Sequence, residues 1–254
     1  MKMTGFHVNS LLIDRIEKRW VTRGLFVFAF AISVAYSLLP IGDSDFSKFN
    51  VWYDKLSSSD FSSASTQIEF PVITMGNVLF LLFTLLAICI FVLVSIIYAR
   101  IYIGEMIVSK TDQSKESSFV SLPMFIAFFI LIIIPLIIMF LFFWFAYIII
   151  VPAMLLSPIL ILVEKKNIYD SIAYSFKYTN GYKLSIFWNL LTLYCLFWFI
   201  ESISSFFLPS GNNAGVFLDG FFTAFAALAV GRTIGIFYEM IQLKKDTSHS
   251  EQEK

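Results

Sequence analysis

Between Glu116 and Glu164 the chain runs for 47 residues without a charge. As one straight helix this run would be about 70 Å long at 1.5 Å per residue. The hydrocarbon core of a bilayer is only about 30 Å thick. The run therefore predicts two membrane crossings joined by a tight apolar turn. No Gly, Asn or Asp marks that turn, but the aromatic cluster Phe140–Tyr147 lies near the middle. Trp and Tyr favour the membrane interface, which places the turn there. Pro123, Pro135, Pro152 and Pro158 fall in or near the two helices. Kinks are expected at those well inside.

Four more runs have spanning length: Gly24–Gly42, Phe70–Ala99, Leu184–Leu208 with Glu201 inside it, and Val216–Ile241 with Asp219, Arg232 and Glu239 inside it. Charged residues make up 14 % of the chain, against roughly 25 % in soluble domains. A soluble globule of this size has no room to hide that much apolar surface, so lipid is expected to serve as part of the solvent. The predicted class is all-α: a polytopic membrane protein of six spans with amphipathic interfacial helices. Zero net charge with few basic residues argues against nucleic-acid binding.

Charge position orients the spans. With six crossings and both termini inside, sixteen of the eighteen Lys and Arg lie on the cytoplasmic side, leaving Lys48 and Lys55 outside. A single crossing through the 47-residue run would move Lys165 and Lys166 outside, against the positive-inside bias. The chain then divides into a cytoplasmic leader (1–23), a membrane domain (24–241) and a polar cytoplasmic tail (242–254). The membrane domain includes an outer loop (43–69) and a short cytoplasmic helix (167–180). In the leader, Leu12, Ile13, Ile16 and Trp20 recur at helical spacing. They predict an amphipathic helix on the inner membrane face, as an anchor for the first span or as a partner-binding helix. The first span reads as an uncleaved anchor, because a long basic leader precedes it and further spans follow.

Chemistry-bearing motifs are few. Cys89 and Cys195 lie inside apolar runs, and His7 and His249 lie in the leader and tail. Neither an exposed disulfide framework nor a His-ligated intramembrane metal site is expected. Gly-x-Ser-x-Gly, His-Glu-x-x-His and Gly-rich phosphate loops are absent. Paired carboxylates at one depth are not expected either; Glu201 and Asp219 read as wet groups near the outer ends of their spans. The expectation is a protein without catalysis, cofactor or metal.

Three features stand out. In the last span Gly220, Ala224, Ala227, Gly231 and Gly235 form one stripe of small residues, suited to close approach by the protein's own helices or by a second copy. Arg232 is placed about 9 Å inside the inner boundary, six residues before Tyr238. Asn189 has similar depth in span five and is the expected partner. Arg232 reads as a snorkelling anchor, or as part of a substrate or ion pathway.

The third feature is the stretch from Pro158 to Gly181. Here a span ends in Glu164, lysines follow, and a short helix runs from the N-cap residue Asn167 to Asn180-Gly181. Ile168, Ile172, Phe176 and Thr179 would form its packed face. Pro158, Glu164, Ala173, Ser175 and Gly181 resemble the pattern of the membrane domain associated with bacterial glycerophosphodiester phosphodiesterases and of related multi-span proteins. Phe237-Tyr238-Glu239 followed by Lys244-Lys245 is similar to the end of their final span. The phosphodiesterase chemistry of that family belongs to a separate soluble barrel that this chain lacks. The resemblance thus implies a membrane module without hydrolase activity. The expected function is that of a non-catalytic accessory or assembly module in a bacterial cytoplasmic membrane. Its partners would be the bilayer and a membrane protein or second copy. A transporter or lipid-handling protein is the alternative.

Overall fold

The computed structural model describes residues 9–13, 19–39, 41–57, 72–108, 121–136, 147–208 and 213–252. In chain order the α-helices are α1 (Arg19–Leu38), α2 (Ser47–Ser57), α3 (Met75–Val108), α4 (Ser121–Phe128), α5 (Tyr147–Met154), α6 (Ser157–Glu164), α7 (Ile168–Tyr178), α8 (Lys183–Phe207) and α9 (Asn213–Gln252). No strand occurs among the described residues. Four helices, α1, α3, α8 and α9, are long and apolar enough to cross a membrane.

The long uncharged run holds two shorter apolar helices, Leu122–Leu136 and Ile148–Glu164. Apart from Tyr147, the expected turn at Phe140–Tyr147 lies outside the described residues. The prolines act in two ways. After α4 the helix widens into a π-turn over Phe129–Ile133, with the Ile134 N–H reaching the Phe129 carbonyl. A helical proline ring collides with the carbonyl four residues back. For Pro135 that is Leu131, inside the widened turn, which makes room for the ring. Pro158 instead sits in the first turn of α6, where its missing N–H leaves no bond unmade. The expected kink is a break there, at Leu155–Leu156 between α5 and α6.

Helix α6 ends at Lys165 in the left-handed conformation, φ 55°. Asn167 then caps α7, its side chain accepting from the Asp170 N–H at 2.7 Å. On α7, Ile168 and Ile172 pack against the core and Thr179 is buried, as expected, but Phe176 is exposed. Ser171 and Ser175 are buried as well. The small hydroxyl residues allow close approach to α5, and Ser175 Oγ donates to the Ala153 carbonyl at 2.6 Å. A phenylalanine on that face would hold the two backbones apart.

Helix α9 is the centre of the bundle, packed against α3, α1 and α8. Tyr98, Phe128, Leu156, Ile159 and Leu228 belong to one buried core. The outward faces are apolar too: in α8, Trp188, Tyr194, Trp198 and Phe199 are all more than half exposed. A surface of that kind fits a hydrocarbon solvent.

Residues 43–45, after α1, are tied to the start of α3 by Asn77, which is 1 % exposed. Its Nδ2 donates to the Asp43 and Asp45 carbonyls at 2.8 and 2.9 Å. Its Oδ1 accepts from the N–H and the hydroxyl of Thr74, at 2.9 and 2.8 Å. Thr74 Oγ1 in turn accepts from the Asn77 N–H, capping α3. Asn77→Ala removes four of these bonds at once. A loss of at least about 2 kcal/mol is expected, since each of the four net bonds contributes roughly 0.5–1.5 kcal/mol. Thermal unfolding of the purified variant checks it.

Candidate functional site

The small-residue stripe on α9 is occupied from within the chain. A Cβ built on Gly220 would stand 2.8 Å from Val34 of α1. On Gly231 it would collide with the Ser95 carbonyl oxygen of α3, and on Gly235 with the Tyr102 ring. Ala224 and Ala227 are buried on the same helix. The close approach brings Ser95 Oγ within 2.7 Å of the Ala227 carbonyl, to which it donates. Glycine and alanine here let two long helices touch backbone to backbone.

Arg232 is 5 % exposed. The expected Arg232–Asn189 pair is not formed. Arg232 Nε donates to the Asn9 carbonyl at 2.5 Å, and Nη1 to the Tyr98 hydroxyl at 3.5 Å. Its guanidinium carbon lies 4.9 Å from the centre of the Tyr102 ring, a cation–π arrangement. Tyr98 donates to the Ile13 carbonyl at 2.8 Å, and Tyr102 to Glu239 at 3.4 Å. Asn189 turns back on its own helix, with Nδ2 donating to the Ser185 carbonyl at 2.7 Å. Its Oδ1 is buried without a partner. Equal depth sets the height of two groups in a bundle but not the direction in which each points.

Five residues of the leader, Asn9–Ile13, are described, and they dock on this network; residues 14–18 of the expected amphipathic helix lie outside the described residues. The tyrosines were not singled out by sequence. The signal available was their spacing: Tyr98 and Tyr102 are four apart, on one face of α3.

Glu164, of the family-like motif, organises a second polar cluster. One of its oxygens accepts from the Tyr238 hydroxyl at 2.9 Å and from Gln242 Nε2 at 3.0 Å. The other forms an ion pair with Lys166 at 2.7 Å. The Lys166 ammonium also lies 3.7 Å from the centre of the Tyr174 ring. Partial burial pulls the Lys166 pKa down, but the bond and charge of Glu164 outweigh it and leave it above the ordinary lysine value. Pro158 starts α6 and Ser175 ties α7 to α5, as described above. Ala173 is exposed, and Gly181 takes φ 83° in the turn before α8. The motif residues thus join α5, α6, α7 and α9 rather than forming one pocket.

Two cavities accompany these networks. An apolar one of about 230 Å³ is lined by Ser95, Phe128, Ile132, Met154, Pro158 and Ile234, among others. A polar one of about 470 Å³ has both Glu201 and Asp219 in its wall. The two carboxylates therefore do share a depth, contrary to expectation. The α8–α9 connection explains it: Glu201 lies six residues before the end of α8, and Asp219 six after the start of α9. With only five residues between the two helices, Asp219 returns to the level of Glu201. Among the described residues no three His, Cys, Asp or Glu side chains converge as a metal site would require. No family model, curated protein or solved structure matches this chain.

Proposed function

We propose that this chain is a non-catalytic, six-span module of a bacterial cytoplasmic membrane, with both termini cytoplasmic, that acts by assembling with another membrane protein. The observation that carries this reading is how the buried and half-buried polar groups are used. Arg232, Glu164, Ser95 and Ser175 each bind a different helix or segment of the same chain. Such groups build a rigid scaffold rather than a nucleophile, base and oxyanion donor set around a reacting atom. The two shorter apolar helices stand where spans three and four are read in the sequence. The likeness of Pro158–Gly181 to phosphodiesterase-associated membrane domains supports the same role. The occupied α9 stripe favours assembly through another face, and the exposed aromatic side of α8 offers one.

The polar cavity favours a second reading, transport or lipid handling, because carboxylates inside spanning helices usually mark a solute or ion path. Gentle solubilisation followed by native mass spectrometry separates the two. The assembly reading expects a stoichiometric protein partner, and the second a retained lipid or solute. A bare monomer in every mild detergent and in lipid discs would contradict both.

A further inference from the structure

The polar cavity lies at the end of the bundle opposite Glu164, between α1, α3, α8 and α9. Its walls include Glu201, Asp219, Ser33, Tyr36, Thr84 and Trp198. Four of the hydroxyl hydrogens there, those of Tyr36, Thr84, Ser202 and Thr223, are already committed. Thr84 Oγ1 donates to the Phe80 carbonyl at 2.9 Å. Its single hydrogen is then used, so in the 2.9 Å contact between Tyr36 and Thr84 the phenol is the donor. Ser202 donates to the Trp198 carbonyl and Thr223 to the Asp219 carbonyl, both at 2.8 Å.

What these oxygens leave to the cavity is lone pairs. Glu201 and Asp219 share the cavity wall, and ionised carboxylates accept without donating. Ser33 is 8 % exposed, lines the cavity and makes no hydrogen bond to another described residue. Phe91 and Trp198 add rings to the wall, and aromatic faces attract cations. The lining asks for a ligand that is positively charged and rich in donors. Two carboxylates are few for a bare divalent ion, which seeks six or more oxygens. A –NH₃⁺ group brings one charge and three donors.

We propose that this cavity binds a small organic molecule through a primary ammonium group, seated between Glu201 and Asp219 with the hydroxyl oxygens of Tyr36, Thr84 and Thr223 as further acceptors. Free amines and the phosphatidylethanolamine headgroup both carry that group. The inference deepens the second reading above. Binding does not require movement across the membrane, so failure of transport and failure of this site are separate results.

The test uses the full chain in discs of phosphatidylglycerol alone, titrated with ethanolamine by calorimetry. One site per chain is expected, weakened at least tenfold by Glu201→Gln and by Asp219→Asn. Each variant is first checked for a wild-type melting curve. Glu239→Gln, toward the other end of α9, is expected to leave binding unchanged. Ethylene glycol, which replaces the ammonium by a hydroxyl, is expected not to bind. In discs containing phosphatidylethanolamine, native mass spectrometry reads the headgroup as the source: the lipid stays on wild type and leaves Glu201→Gln. Absence of both ethanolamine and lipid binding in wild type overturns the proposal. So does binding that both carboxamide variants retain, or heat from magnesium chloride with none from ethanolamine. If a variant does not fold, the wild-type contrast between ethanolamine and ethylene glycol decides.

Discussion

Gly231→Ala is expected to destabilise the protein, although alanine is the better helix former by about 1 kcal/mol. The added Cβ would overlap the Ser95 carbonyl oxygen, with the Ser95 carbonyl carbon 3.1 Å away. These are backbone atoms of another long helix, so relief requires moving α3 relative to α9. Overpacking of this kind costs about 1–3 kcal/mol, and Gly231→Leu is expected at or beyond the upper end. At roughly 2–4 °C per kcal/mol for a domain of this size, Gly231→Leu should lower Tm by about 6–12 °C. It should also break the Ser95–Ala227 bond, which depends on the same contact. Gly24→Ala is the control: a Cβ there meets nothing within 4 Å, so the helix preference for alanine should be neutral or stabilising. Equal responses at Gly24 and Gly231 would refute the close α3–α9 contact.

The second large effect concerns Arg232. Arg232→Lys keeps the charge and the ability to snorkel, but not the planar fork that reaches Asn9 and Tyr98 together. Losing one hydrogen bond from a charged group costs about 2 kcal/mol, or roughly 4–8 °C in Tm. The leader should loosen as well, because its Asn9 carbonyl is held by Arg232. Hydrogen exchange in residues 9–13 is expected to rise in Arg232→Lys. Asn189→Ala should have little effect, since it removes an orphaned buried oxygen along with a bond inside its own helix. The double mutant should be additive to within about 0.5 kcal/mol. Strong coupling between the two positions would show that they do interact.

These outcomes trace the boundary of what the sequence discloses. Helices of spanning length are legible because hydrocarbon tolerates charge so poorly: α1, α3, α8 and α9 each cover an uncharged or nearly uncharged run. Asn167 is legible as a cap because the first turn of a helix needs acceptors. Azimuth is the harder quantity. In lipid both the packed and the exposed faces of a helix are apolar, so hydrophobic periodicity loses its power to say which side looks inward. On α7, outside the spans, Phe176 was expected on the buried face beside Ile168 and Ile172, but close packing on α5 selects the small Ser171 and Ser175 there. Within the spans, Asn189 was expected at Arg232, whose partner is a backbone carbonyl of the leader. A backbone acceptor leaves no trace in residue type. The Glu201–Asp219 juxtaposition was within reach of counting residues from the α8–α9 turn.

The central claim is that the uncharged run between Glu116 and Glu164 crosses the membrane twice, which returns α7 to the side of the leader. Single cysteines on a Cys89→Ser, Cys195→Ser background, probed in intact cells with a membrane-impermeant maleimide, test it most directly. Ser62→Cys should label from outside. Asn180→Cys and Lys244→Cys should label only after permeabilisation. Labelling of both Ser62→Cys and Asn180→Cys in intact cells would mean a single crossing and would contradict the six-span account.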